Sequence, residues 1–149
     1  MMLSMFKSKL YYRHVLTSIW YICPESSMLS VKNHPFKDHD KVHTELTPEL
    51  LQSILNQLLQ LKKESEEDNE QYYNCLIIDD MAAMLKDKNI ALMLNKILTK
   101  SRHLNWACII CSQTYYMLPK PIRKMLSNIT VFKPRNYAEY EAISKELFF

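Results

Sequence analysis

The stretch Asn74-Cys75-Leu76-Ile77-Ile78-Asp79-Asp80 is an apolar run that ends abruptly in two carboxylates. A continuous apolar run of this length, without alternation of polar residues, is typical of an inner parallel strand that is covered on both faces. We therefore predict a strand over residues 73–78. The two carboxylates then lie at the carboxyl end of that strand.

Further apolar runs flank this strand, with helical patterns between them. Predicted strands cover residues 15–23, 106–112 and 129–133, and predicted helices cover residues 48–61, 89–101, 119–126 and 137–147. Residues 25–46 are expected to form a polar connection without a clear period, and residues 64–70 an acidic, mobile linker. Strands that are separated by helical crossovers predict an α/β fold with a mainly parallel sheet and flanking helices. We expect one domain over residues 1–149.

Composition excludes several classes of protein. Hydrophobic residues make up 48% and charged residues 23% of the chain, which is typical of a globular protein rather than a disordered one. No apolar stretch approaches the roughly 20 residues that span a bilayer, and no signal peptide is evident. We therefore expect a soluble, intracellular protein that makes no membrane contact.

Basic residues are concentrated late in the sequence, although the formal net charge is only +3. Such a cluster could follow a nucleic-acid backbone, while a solvated basic surface is the simpler interpretation. The residues concerned are Lys120, Arg123, Lys124, Lys133 and Arg135.

Glycine is absent from all 149 residues. Left-handed turns must then be formed by other residues, and asparagine is the expected substitute. A glycine-rich phosphate loop is also excluded from these residues, because its backbone N–H groups can surround a phosphate only where no Cβ intrudes.

Two groups of potential metal ligands are interpreted as structural. Cys108 and Cys111 lie three residues apart in a predicted strand, so their thiols point to opposite faces and cannot share a metal. We expect both to be small buried hydrophobic residues. His34, His39 and His43 fit no closed zinc spacing, and we expect them in a solvent-exposed loop.

Polar residues follow the predicted strands at their carboxyl ends, where α/β sheets bind ligands. Asp79 and Asp80 follow one strand, Ser112 and Gln113 another, and Pro24-Glu25-Ser26 a third. A carboxylate at a strand tip can hold Mg²⁺ through water, a second can deprotonate an attacking water, and an amide can orient that water. The alternative is that the two carboxylates only cap the next helix.

Several short motifs occur in a specific order: Leu76-Ile77-Ile78-Asp79-Asp80, Ser101-Arg102-His103-Leu104, Cys111-Ser112-Gln113, Leu118-Pro119 and Ile122-Arg123. In this order and spacing, over roughly residues 15–132, the chain resembles the DNA-packaging ATPases of poxviruses and other large DNA viruses. Those enzymes belong to the FtsK–HerA branch of P-loop ATPases, with a RecA-like (ASCE) core.

The resemblance implies a role for each motif residue. Asp79 corresponds to the Mg²⁺-side carboxylate of the Walker B pair and Asp80 to the water-activating one. Gln113 corresponds to the sensor residue. Arg102 is a candidate arginine finger that acts on the nucleotide of a neighbouring subunit. The alternative is that its positive charge only interacts favourably with the dipole at the end of a helix. Arg123 is a weaker candidate of the same kind.

The resemblance also implies cofactors and partners. ATP and Mg²⁺ would be the cofactors, and the partners would be double-stranded DNA and further copies in a homo-oligomeric ring. The location would be the host cytoplasm or the virion. The full enzyme would couple ATP hydrolysis to DNA movement.

One departure from the family pattern is large. The family begins with a strand, a Gly-x4-Gly-Lys-Ser/Thr loop and a helix, whereas only fourteen residues precede the first predicted strand here. Residues 1–12 could be a remnant of that helix. We therefore expect an incomplete chain that is inactive alone and has an exposed sheet edge. The alternatives are a non-catalytic remnant that acts as an interaction module and a small DNA-binding protein.

Overall fold

The computed structural model describes residues 2–8, 15–134 and 136–148. Its centre is a four-stranded, all-parallel sheet with flanking helices, which confirms the α/β prediction and is consistent with a truncated RecA-like core. The strands are β1 (Ser18–Ile22), β2 (Val42–His43), β3 (Asn74–Asp79) and β4 (Trp106–Cys111), in the spatial order β2-β1-β3-β4.

Helices connect and cover the strands. The α-helices are α1 (Met2–Lys7), α2 (Glu25–Ser30), α3 (Pro48–Glu67), α4 (Lys88–Leu98), α5 (Lys120–Arg123) and α6 (Tyr137–Phe148), with 3₁₀ turns at Met84–Lys86 and Tyr115–Met117. Thr47 caps the amino end of α3, since its side chain accepts a hydrogen bond from the backbone N–H of Leu50. Asp87 caps α4 in the same way. None of the helices in the described residues is long and apolar enough to cross a membrane.

The sheet separates two hydrophobic clusters. The larger one lies between the sheet and helices α3 and α4, and it includes Trp20, Leu58, Leu76 and Leu94. The smaller one lies on the opposite face and is rich in aromatic residues; its buried members are Phe6, Tyr21, Cys23, Phe36, Cys75 and Ile77. Because β3 pairs with β1 and β4 in register, its carboxyl end lies level with theirs.

Three sequence predictions were wrong. Residues 25–46 contain α2 and β2, but β2 is only two residues long and shows no periodicity. Residues 64–67 continue helix α3, where the buried Ser65 hydroxyl donates to the carbonyl of Glu70. Residues 129–133 do not form a strand, and Val131 and Phe132 are exposed there rather than paired.

The boundaries of three further elements differ by three residues at one end. The first strand begins at Ser18 rather than at residue 15, α4 ends at Leu98 rather than at residue 101, and α5 ends at Arg123 rather than at residue 126.

Strand β4 forms one edge of the sheet. Within the described part of the chain it pairs with β3 alone, and its residues after Trp106 are only partly buried, although they are largely apolar. Among the described residues, the sheet therefore ends at β4. An edge of this kind offers unpaired backbone groups to another strand.

Four residues of the described chain have a left-handed backbone: Asn33, Asn69, Asp80 and Asn105, with φ between 46° and 57°. Asparagine therefore replaces glycine in three of the left-handed turns, as predicted. The fourth position is Asp80, which leaves β3 in this conformation.

Arg123 is not part of a solvated basic surface. Its guanidinium makes two hydrogen bonds to the Glu146 carboxylate, at 3.0 and 2.9 Å, and a third to the carbonyl of Leu118. It also packs over the Tyr115 ring, and its side chain is only 9% exposed. Helix α6 is thereby joined to α5, and the predicted basic cluster loses one member. Arg135 lies outside the described residues.

We expect Arg123→Ala to lower the free energy of unfolding by about 2 kcal/mol, because hydrogen bonds to charged groups contribute roughly 1.5–3 kcal/mol. The partial exposure of Glu146 keeps the loss below the roughly 3–5 kcal/mol of a fully buried pair. Urea unfolding measures the change. Lys124→Ala is the control, since Lys124 is exposed on the following turn. Equal effects of the two substitutions would contradict the assignment.

Candidate active site

Asp79 is the last residue of β3 and lies at its carboxyl end. Its register partner on β4 is Cys111, and its Oδ2 atom accepts a 2.7 Å hydrogen bond from the hydroxyl of Tyr21. Burial raises the pKa of the Cys111 thiol to about 12, and the negative charge of Asp79 acts in the same direction. The thiol therefore stays protonated at neutral pH.

Tyr21 lies in the smaller hydrophobic cluster and is fully buried. Its hydroxyl oxygen is also 3.2 Å from Nε2 of His34, and Nδ1 of His34 accepts a hydrogen bond from the backbone N–H of Phe36. Burial raises the pKa of Tyr21, and the hydrogen bond to Asp79 raises it further. Burial lowers the pKa of His34, so the imidazole is neutral at pH 7.

The prediction of solvent-exposed histidines was wrong for His34, which is 7% exposed. His34 is buried because Phe36, two positions later, packs on Tyr21 with ring centroids 4.6 Å apart. The prediction was also wrong for His43, which belongs to β2 and is partly buried, whereas His39 lies in the loop with intermediate exposure.

Asp80 follows β3 and has both carboxylate oxygens engaged. Its Oδ1 accepts a 3.0 Å hydrogen bond from the side-chain amide of Gln113, and its Oδ2 accepts a 2.8 Å hydrogen bond from the hydroxyl of Ser27. Gln113 follows β4, and Ser27 lies in α2 after β1. The structure therefore brings Asp79, Asp80 and Gln113 together at the carboxyl edge of the sheet.

Other predicted residues lie nearby without joining this arrangement. Ser112 donates its hydroxyl to the carbonyl of Thr114. Of the residues after β1, the contact to Asp80 comes from Ser27 and not from the predicted Pro24-Glu25-Ser26.

Arg102 lies at the other end of the sheet, in the turn at residues 101–105 that precedes β4, and it is exposed. A six-residue strand is about 20 Å long, so the guanidinium cannot reach Asp80 within one chain. Within one chain, Arg102 is therefore separate from the acidic pair.

Sequence reasoning missed Ser27, Tyr21 and His34. Tyr21 gave a signal: it is a polar-tipped residue in a continuously apolar strand, and in the parallel register it pairs with Ile77, two residues before Asp79 on the same face. Ser27 and His34 gave no comparable signal, because their contacts cross between separate segments of the chain.

Residues 2–146 match the family described as Poxvirus A32 protein. The chain belongs to the poxvirus A32 family. The match covers all four strands and every residue of the candidate site, and it confirms the poxvirus part of the resemblance. No curated protein and no solved structure matches the chain.

The donor set of this A32-family chain fits a hydrated Mg²⁺ ion. Mg²⁺ keeps several of its waters and is usually bound by one or two carboxylates, and Asp79 at the end of β3 could provide one. The described residues contain no group of three His, Cys, Asp or Glu side chains that could enclose a metal. The neighbouring thiols are poor competitors, because burial raises the pKa of both Cys23 and Cys111.

Proposed function

We propose that this A32-family chain carries the acidic half of an ATP-hydrolysing site. The complete enzyme would be a genome-packaging ATPase of the FtsK–HerA type that moves double-stranded DNA through a homo-oligomeric ring. The observation that carries the proposal is the hydrogen bond from Gln113 to Asp80, beside Asp79. It joins the residues that follow two neighbouring parallel strands.

In this proposal each side chain has a distinct task. Asp79 is the carboxylate on the Mg²⁺ side of the site, and a bound Mg²⁺ supplies charge neutralisation on the phosphates. Asp80 orients the attacking water and accepts its proton at a carboxylate oxygen. Gln113, which already donates to that carboxylate, holds the water in line for attack. Displacement of Ser27 from Asp80 would free the Oδ2 oxygen for the water.

The phosphate loop has to come from elsewhere, because these 149 residues contain no glycine. The open edge of β4 offers a place for it. A strand that added in parallel at this edge would bring its following loop to the carboxyl edge of the sheet, beside Gln113. The open edge of β4 thus supports an arrangement in which a second segment completes the nucleotide site.

The proposal is tested by complementation. The chain is refolded with a polypeptide that carries the strand, the Gly-x4-Gly-Lys-Ser/Thr loop and the following helix of another A32-family protein. We expect the pair to bind Mg-ATP and release phosphate, while each part alone does neither.

A loop with alanine in place of the lysine is the matched control, and it should restore the pairing without the activity. If the intact segment binds to the chain but no ATP binding appears, the chain is a non-catalytic interaction module instead. The alternative of a small DNA-binding protein is weakened by the engagement of Arg123 with Glu146. It would be supported by steeply salt-dependent DNA binding of the chain alone.

A further inference from the structure

A buried chain of hydrogen bonds leads from the loop after α2 to Asp79. The N–H of Phe36 donates to Nδ1 of His34, so this nitrogen carries no proton and the neutral ring is protonated at Nε2. The hydroxyl of Tyr21 donates to Oδ2 of Asp79, so its oxygen is available to accept from Nε2 of His34. Each of these hydrogen bonds is thus donated in the direction of the Asp79 carboxylate.

The buried location of this series of hydrogen bonds is unusual. Tyr21 and His34 are 0% and 7% exposed, and they lie among apolar or aromatic residues such as Phe6, Phe36 and Ile77. Polar side chains are costly in such surroundings unless their hydrogen bonds are made. Packing alone would be served equally well by phenylalanine at position 21. The tyrosine hydroxyl therefore needs an explanation, and its 2.7 Å bond to Asp79 supplies one.

We propose that Tyr21 and His34 are positioning residues that fix the carboxylate of Asp79 for a divalent cation. This inference rests on the proposed role of Asp79 as the metal-side carboxylate. Tyr21 engages one carboxylate oxygen, Oδ2, and thereby limits rotation of the group. His34 in turn fixes the direction of the tyrosine hydroxyl. Metal-ligating carboxylates are commonly oriented in this way, and loss of such a partner typically costs about 10–100-fold in metal affinity.

The test uses the full chain and Mn²⁺ as the probe, with free Mn²⁺ followed by electron paramagnetic resonance. We expect wild-type protein to bind Mn²⁺ and Asp79→Asn to lose that binding. Tyr21→Phe should weaken the affinity about 10-fold or more. His34→Gln should weaken it in the same direction, because the hydroxyl of Tyr21 loses its fixed orientation.

Ile77→Val is the matched control, because Ile77 is buried in the same cluster and has no polar group. It should lower stability slightly and leave the Mn²⁺ affinity unchanged. Circular dichroism verifies that each variant is folded at the temperature of the titration.

The outcomes separate the inference from the proposed function. If Asp79→Asn abolishes Mn²⁺ binding while Tyr21→Phe binds like wild type, the positioning role is overturned and the metal role of Asp79 stands. If wild-type protein binds no Mn²⁺, or if Asp79→Asn binds it normally, the metal role itself is overturned, and the positioning role with it. If Ile77→Val weakens binding as much as Tyr21→Phe, general packing and not the hydroxyl is responsible.

Discussion

Replacing Asp80 by asparagine is expected to reduce ATP hydrolysis by about 10²–10⁴-fold in the protein complemented with a phosphate loop, the range that a positioned general base contributes. Asparagine has nearly the same shape and retains one oxygen that can accept from Ser27 or Gln113, but it cannot take a proton from the attacking water. ATP binding should therefore persist. Phosphate release and the binding of a fluorescent ATP analogue measure the two quantities separately.

Asp38→Asn is the control for this change, because Asp38 is an exposed carboxylate in the loop between α2 and β2. It removes the same charge at a distance from the site and should leave turnover unaltered. Hydrolysis that survived Asp80→Asn would show that another group activates the water, and the assignment of Asp80 would then be wrong.

Replacing Arg102 by alanine is expected to reduce turnover by about 10³–10⁵-fold, but only in the assembled ring. The reason is geometric: Arg102 precedes β4 and Asp80 follows the neighbouring parallel strand β3, so the two lie at opposite edges of the sheet and this arginine would act on a nucleotide held by a neighbouring copy. The variant should keep its own ATP binding. Mixtures of Arg102→Ala and Asp80→Asn subunits should recover activity where a wild-type arginine faces an intact site.

His103→Ala is the matched control for the arginine, because His103 is the next residue in the same exposed turn. It should have little effect on turnover. If mixed rings showed neither recovery nor inhibition, Arg102 would have no role between subunits. Its charge would then serve only the end of helix α4, where a cation interacts favourably with the helix dipole.

The α/β architecture could be predicted from the sequence because continuous apolar runs indicate strands that are buried on both faces. Residues 74–79 are buried up to Ile78, and their apolar character was sufficient to place them inside a parallel sheet. β2 could not be predicted in this way, since two residues at the edge of a sheet carry no period. The run at residues 129–133 shows the opposite error: β-branched and aromatic residues favour a strand, but no neighbouring strand pairs with them.

The candidate site was predictable to the extent that topology determines it. Asp79, Asp80 and Gln113 follow adjacent parallel strands, so their proximity follows from the strand order. The contacts of Tyr21 and Ser27 with the acidic pair join residues 58 and 53 positions apart, and they depend on side-chain rotamers and on the path of α2. The polar tip of Tyr21 in an apolar strand indicates a buried partner but does not identify it, and Ser27 gives no comparable signal.

The left-handed backbone of Asp80 has a consequence for how mutations at this position are interpreted. A left-handed conformation costs roughly 1–2 kcal/mol for residues with a Cβ, and aspartate and asparagine tolerate it best because their short side chains bond locally. Asp80 is therefore both the residue that turns the backbone out of β3 and a candidate base. Substitution by alanine would lower both the stability of the fold and the rate of hydrolysis, and an activity measurement alone would not distinguish the two losses. Asparagine tolerates the left-handed conformation and removes only the carboxylate, so it is the substitution that separates the two losses.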